Sequence, residues 1–163
     1  AKEAYELLNK IRTNPEKYKR ELKLFNLHKI TRTKLNWNKQ LAEVAEYRAK
    51  DMAKRGYFDH VSPEGYGPNY FIEEAGYHLN QSWVKKRNAN NFESIAANRA
   101  SATDAIKALI IGREAPGYHH RKHLLGMDQW NGSLYDIGIG YVKCRGAKPY
   151  ESYLVVIIAK HDW

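Results

Sequence analysis

A single cysteine, five prolines and no aliphatic run longer than six residues bound what this 163-residue chain can be. Cys144 has no second thiol to pair with, so no intrachain disulfide staples the fold and a C-x-x-C site is excluded. With few prolines, eleven glycines and 43% hydrophobic residues, the composition is that of a globular chain, not a fibrous or disordered one. The longest aliphatic run, residues 154–159, is far short of the roughly 20 residues a membrane-spanning helix takes. Nor is there a Gly-rich phosphate loop, a G-x-S-x-G elbow or an H-E-x-x-H helix, the commonest strong signatures of nucleotide enzymes, serine hydrolases and zinc proteases. A chain of this length is expected to fold as one domain, residues 1–163, burying roughly 70% of the surface its unfolded form exposes.

The charge balance is uneven, with the basic excess concentrated in the first sixty residues. Residues 1–60 hold 15 Lys and Arg against 8 Asp and Glu, which places +7 of the net +9 there. Such a face attracts anions at long range, but no nucleic-acid motif accompanies it. It reads as a solvated basic face, with no specific nucleic-acid binding expected. The chain begins at Ala1 rather than Met, which leads us to expect that an N-terminal segment carrying any export signal has been removed.

Periodicity then supplies the elements. Ala4, Leu7, Leu8 and Ile11 fall on one helical face, and Asn14 and Pro15 are placed to cap and open a second short helix. The longest helix is predicted over 39–55, with Asn38 as its N-cap. Leu41, Val44, Ala45, Arg48 and Met52 lie on one stripe, and Gly56 closes it in the left-handed conformation. Pro63, Gly65, Gly67 and Pro68 make 61–68 a loop, and Ser101 caps a helix over 102–111. After Gly132 the period changes to two. A strand carries Ile137, Ile139 and Tyr141 on one face and Gly138 and Gly140 on the other, where another element can approach closely. A second strand over 151–160 carries the continuous apolar run 154–159, as expected of burial on both faces, and 145–149 is the hairpin loop between them. Cys144 reads as a packed strand residue. Helices first and a hairpin last make the fold class α+β.

Histidine is the informative residue type. Three of the seven stand in Tyr118-His119-His120-Arg121-Lys122-His123, and on a helix His119 and His123 would share a face at i, i+4, the spacing two imidazoles need to share a metal. His60 follows the long helix, just before the Pro/Gly loop. Phe58-Asp59-His60-Val61-Ser62-Pro63-Glu64-Gly65 resembles the F-x-H-x-x-P-x-G segment of the CAP superfamily, the cysteine-rich secretory, antigen 5 and pathogenesis-related-1 proteins. Phe92-Glu93-Ser94-Ile95-Ala96 resembles its G-E-N-I-A, and Gly117-Tyr118-His119-His120-Arg121-Lys122-His123-Leu124-Leu125 the G-H-R-x-N-L-L of its bacterial, SCP-like members with one residue inserted. Leu7-Leu8-Asn9-Lys10-Ile11-Arg12-Thr13-Asn14-Pro15 is similar to the opening helix, I-N-x-x-R-x-x-P, and Asp136-Ile137-Gly138-Ile139-Gly140-Tyr141 to the penultimate strand. These segments come in family order across nearly the whole chain.

The resemblance implies a three-layer α-β-α sandwich around a central, mostly antiparallel sheet. It also implies a cleft in which His60, His120 and Glu93 converge and are able to hold a divalent cation, zinc first among candidates. Ser94, Tyr118, His119 and Glu114 are further candidates for the cleft. The chain departs from the pattern at Phe92 for Gly, Ser94 for Asn and His123 for Asn, and the family's second acidic residue has no counterpart in register, Glu114 being the only carboxylate nearby.

Two functions compete on these residues. One is a secreted or surface-attached binding module, an extracellular monomer whose cleft recognises a lipid or sterol, a glycan or a protein. The other is a metal-dependent hydrolase, a protease or esterase, in which His60, His120 and Glu93 hold a cation that activates water. With no second carboxylate in register the hydrolase lacks a base, and binding is the favoured reading. Tyr57, Tyr66, Tyr70, Tyr77 and Tyr118 flank the histidine-bearing segments and suit the rim of such a cleft.

Overall fold

Seven α-helices and four strands are found in the computed structural model, which describes residues 1–112, 116–144 and 150–161. The predicted loop over 145–149 and Glu114 lie outside the described residues. In chain order the elements are α1 (Lys2–Thr13), α2 (Pro15–Tyr18), β1 (Asn36–Trp37), α3 (Lys39–Arg55), α4 (Pro68–Glu74), β2 (Glu93–Ala97), α5 (Ala102–Ile111), α6 (His119–Leu125), α7 (Gln129–Gly132), β3 (Asp136–Lys143) and β4 (Ser152–Ala159). The long helix begins and ends where its caps predict. Asn38 accepts a hydrogen bond from the Leu41 amide, and Gly56 closes it at φ 68°. Ser101 caps α5 through the Asp104 amide in the same manner. Asn14 precedes Pro15 as expected, but its side chain makes no capping bond.

The sheet runs β1-β3-β4-β2. β3 pairs antiparallel with β4, and β4 antiparallel with β2; only the two-residue β1 is parallel to its neighbour. Each residue of β4 is buried, which explains its unbroken apolar run. α3 covers one face of the sheet, where Gly138 and Gly140 admit it: a Cβ on Gly138 would stand 2.1 Å from the Ala42 nitrogen, and one on Gly140 2.4 Å from that of Glu46. α1, α5 and α6 pack together on the other side, with Ile137 and Ile139 buried beneath them. The result is the α-β-α sandwich, an α+β fold in three layers. No described helix is long and apolar enough to cross a membrane. Cys144 follows β3, half-buried against the core.

β2 was not visible as a strand in the sequence. It is one edge of the sheet, and the histidine-bearing segments meet beside it.

Candidate functional site

Successive residues of a strand point to opposite faces, and the cleft is built from that alternation. Glu93 lies opposite Ile157, and Ile157 opposite Gly138, so Glu93 faces the α3 layer. There Arg48, wholly buried, clamps it: Arg48 Nε donates to Glu93 Oε2 at 3.0 Å and Nη2 to Oε1 at 2.9 Å. The same guanidinium donates to the carbonyls of Asp59 and His60 at 2.8 and 2.9 Å and to the Tyr57 hydroxyl at 3.0 Å. Burial works against the charge on Arg48, and the bonds to Glu93 and Tyr57 more than offset it, leaving its pKa above the usual value. Tyr57 passes the network on by donating to Asp51 at 2.6 Å; burial first, then that bond, raise its pKa.

His60 is held from two directions. Its carbonyl accepts from Arg48, and its ring Nδ1 stands 2.8 Å from Glu93 Oε1. A carboxylate already paired with a guanidinium accepts, so Nδ1 carries the proton and Nε2 is left with a lone pair. The imidazole is about one-third exposed while the Glu93 side chain is fully buried, so the ring forms the solvent-facing end of the network.

Ser94 points to the opposite layer, where its Oγ meets His123 Nδ1 of α6 at 2.7 Å, both residues buried. His123 Nε2 lies 3.5 Å from the Ile158 carbonyl, which assigns the ring proton to Nε2 and makes Ser94 the donor to Nδ1. Burial pushes the His123 pKa down to about 4, with His120 and His60 adding to the shift. His119 and His123 therefore share no metal: His123 is committed to Ser94 inside the core, whereas His119 is exposed. His120, between them in sequence, is half-buried; burial first, then the nearby His60 and His119, lower its pKa. Its ring makes no hydrogen bond to any described residue.

His60, Glu93, Ser94, His119, His120 and His123 all line one pocket of about 510 Å³ along the edge of β2. A second pocket of about 450 Å³ continues along Ile95, Ala96 and Ala97, and His120 lines both. The sequence thus brings together residues 33 and 27 positions apart, as the family pattern implies. Three expectations need correction. Tyr118 lines neither pocket. It adopts φ 55° ahead of α6 and packs edge-on against Phe25, with the Arg121 guanidinium 4.6 Å from its ring. Of the other tyrosines, Tyr57 belongs to the Arg48 network, Tyr77 is buried and donates to Asp136, and Tyr66 stacks on Tyr70 at 4.2 Å. Glu93 is no free ligand, because both its oxygens are already engaged by Arg48 and one also by His60.

Zinc takes at least three protein ligands in its usual sites. Among the described residues no group of three His, Cys, Asp or Glu side chains stands where one ion could be held. Of the pocket's imidazoles, His60 through Nε2 and His120 would be the ones to hold a cation.

Sequence reasoning missed two parts. Arg48 was a charged residue on an otherwise apolar stripe, and an arginine in a core-facing position has to find acceptors for its donors, a carboxylate or backbone carbonyls. The Ser94–His123 pair was visible as two departures from the family pattern, but nothing in the sequence says that they touch.

Comparison with known proteins gives a match to the model of the cysteine-rich secretory protein family over residues 5–158. Among the curated proteins, none matches. Among solved structures, the chain is similar to an extracellular protein containing an SCP domain from Bacillus anthracis str. Ames, with a TM-score of 0.63 and 23% identity. The alignment covers 98% of this chain and 40% of that one, so the chain spans less than half the length of the protein it resembles.

Proposed function

Since this chain belongs to the cysteine-rich secretory protein (CAP) family, we propose that it acts as an extracellular binding module whose cleft along β2 recognises a ligand of the lipid, glycan or protein class. The observation that carries this reading is the Arg48–Glu93–His60 chain of bonds. Glu93 is the only carboxylate lining the pocket among the described residues, and Arg48 and His60 occupy its oxygens, so it is poorly placed to take a proton from water. Its role is to fix the His60 tautomer and ring plane. His60 and His120 are then the two imidazoles that would hold a divalent cation, zinc first among candidates, with water or the ligand supplying the positions for which no third protein donor stands among the described residues. Bound there, the cation would supply Lewis acidity and a positive anchor for an oxygen of the ligand. The extracellular setting is supported by the bacterial SCP-domain protein that shares the fold.

Calorimetric zinc titration of the wild type, His60→Ala, His120→Ala and His119→Ala tests the site, alongside assays of the zinc-loaded protein on peptides and short-chain esters. Zinc binding lost in the first two variants and kept in His119→Ala, with no turnover, is the expected result. Turnover that disappears in His60→Ala would instead establish the hydrolase.

A further inference from the structure

The acidic side chains of α3 and α4 are Glu43, Glu46, Asp51, Glu73 and Glu74. Three are matched: Glu46 by Lys50 at 2.8 Å, Asp51 by Arg55 at 2.8 Å and Glu73 by His78 at 2.7 Å. Glu43 and Glu74 are not. Both are exposed, and neither makes a hydrogen bond or ion pair with a described residue, although the chain as a whole carries +9. The same two carboxylates line one pocket of about 240 Å³ between α3 and α4, together with Val44, Tyr47, Phe71 and Ala75. The rings of Tyr47 and Phe71 meet at 47° with their centroids 5.6 Å apart, and Phe71 continues into the Tyr70 and Tyr66 stack. Tyr47 is 53% exposed, so the corner that the two rings make is open to solvent. None of these residues lines either pocket along β2.

We propose that this pocket binds a quaternary alkylammonium cation, at a site separate from the β2 cleft and independent of its reading. The faces of aromatic rings attract positive charge, and the rings of this cluster already do so. The Arg48 guanidinium stands 5.9 Å from the centre of the Phe71 ring, and that of Arg87 5.9 Å from the centre of Tyr66. Arg48 is matched by Glu93 and leaves Glu43 and Glu74 uncompensated. The charge of Glu74 reaches the rings: it is the first cause, ahead of burial, that raises the Tyr70 pKa. The lining selects the quaternary ion. A primary ammonium is strongly hydrated and gives up its water only where acceptors replace it. A trimethylammonium donates no hydrogen bond, and its methyls can meet Val44, Ala75 and the two rings while the rim carboxylates supply the field. Size selects a single head group. At about 240 Å³ the pocket is smaller than the roughly 300–1,000 Å³ that hold drug-sized ligands, too small for a sterol, an acyl chain or a peptide.

The probe is choline chloride, titrated into the intact protein and followed through its amide NMR spectrum. Two controls accompany it: neopentyl carbinol, the neutral isostere with carbon in place of nitrogen, and ethanolamine, the primary amine. Choline should shift the Val44, Tyr47 and Ala75 amides, and each control should bind about threefold or more weakly. Tyr47→Leu should weaken choline about threefold, and so should Glu43→Gln combined with Glu74→Gln, whose residual binding should also lose its dependence on salt. All three positions are exposed, so the variants should fold as the wild type does. Phosphatidylcholine vesicles distinguish the source of the cation. Co-sedimentation that Tyr47→Leu abolishes places it on a lipid, and choline binding without co-sedimentation places it on a free solute; both keep the assignment. Equal binding of choline and its neutral isostere, equal binding of ethanolamine, or a choline affinity unchanged in either variant would each overturn it. Choline shifts confined to His60 and His120 would overturn it as well, while leaving the reading of the β2 cleft standing.

Discussion

A guanidinium with no exposed surface must direct its donors into the protein, and Arg48 makes five hydrogen bonds to do so, two of them to Glu93. That geometry ties together α3, the turn carrying His60 and the first residue of β2. Replacing Arg48 with Met leaves the buried Glu93 carboxylate uncompensated, and we expect a loss of about 3–5 kcal/mol in urea unfolding. The double variant Arg48→Met, Glu93→Gln should recover part of it, since the stranded charge is then gone; no recovery would mean that the carbonyl bonds, not the ion pair, dominate. Arg48→Lys is not a conservative change here, because a single ammonium cannot span the carboxylate, both carbonyls and Tyr57.

Elements meet in this fold where side chains are missing. α3 lies so close to β3 that a Cβ on Gly138 would fall 2.2 Å from the Leu41 carbonyl carbon as well as 2.1 Å from the Ala42 nitrogen. The obstruction is helix backbone, which a rotamer change cannot relieve. Gly138→Ala is therefore expected to destabilise the protein by about 3 kcal/mol, at the upper end for overpacking. Because α3 carries Arg48, the substitution should also disturb the cleft, seen as a shifted His60 ring resonance. A thermal midpoint within a degree or two of wild type would show that α3 can move away freely. At the other end of the sheet, α1 is stitched on by polar groups: Asn9 both donates to and accepts from the Leu35 backbone, and Arg12 donates to the carbonyls of Thr33 and Leu124. Asn9 and Arg12 of the opening motif thus tie α1 to the segment before β1 and to α6.

For the whole molecule, buried histidines make stability depend on pH. His123 is neutral in the folded state down to about pH 4, whereas an unfolded histidine titrates near 6.5. Between these values the unfolded chain binds more protons than the folded one, so stability is full above about 6.5 and declines as pH falls through this window, by roughly 3 kcal/mol. His120, also shifted down, acts in the same direction. Urea unfolding at pH 7 and pH 4.5 should show this drop, and in His123→Asn the slope should flatten. An equal slope in that variant would assign the acid sensitivity to other groups.

Much of this architecture could be read from the order of residues. Caps at Asn38, Gly56 and Ser101 and the stripe on α3 act over a few residues, and so do the alternation in β3 and the apolar run of β4; local rules are enough to locate them. The family segments around His60, Glu93 and His120 indicated which distant residues share the cleft. What the order could not indicate was which face each residue takes at the site. β2 is a five-residue strand whose existence rests on pairing with β4, some sixty positions later in the chain. Only that pairing sends Glu93 to Arg48 and Ser94 to His123. A one-residue slip in the register would exchange the two faces and dismantle the cleft, so the site was decided by the sheet and not by any segment within it.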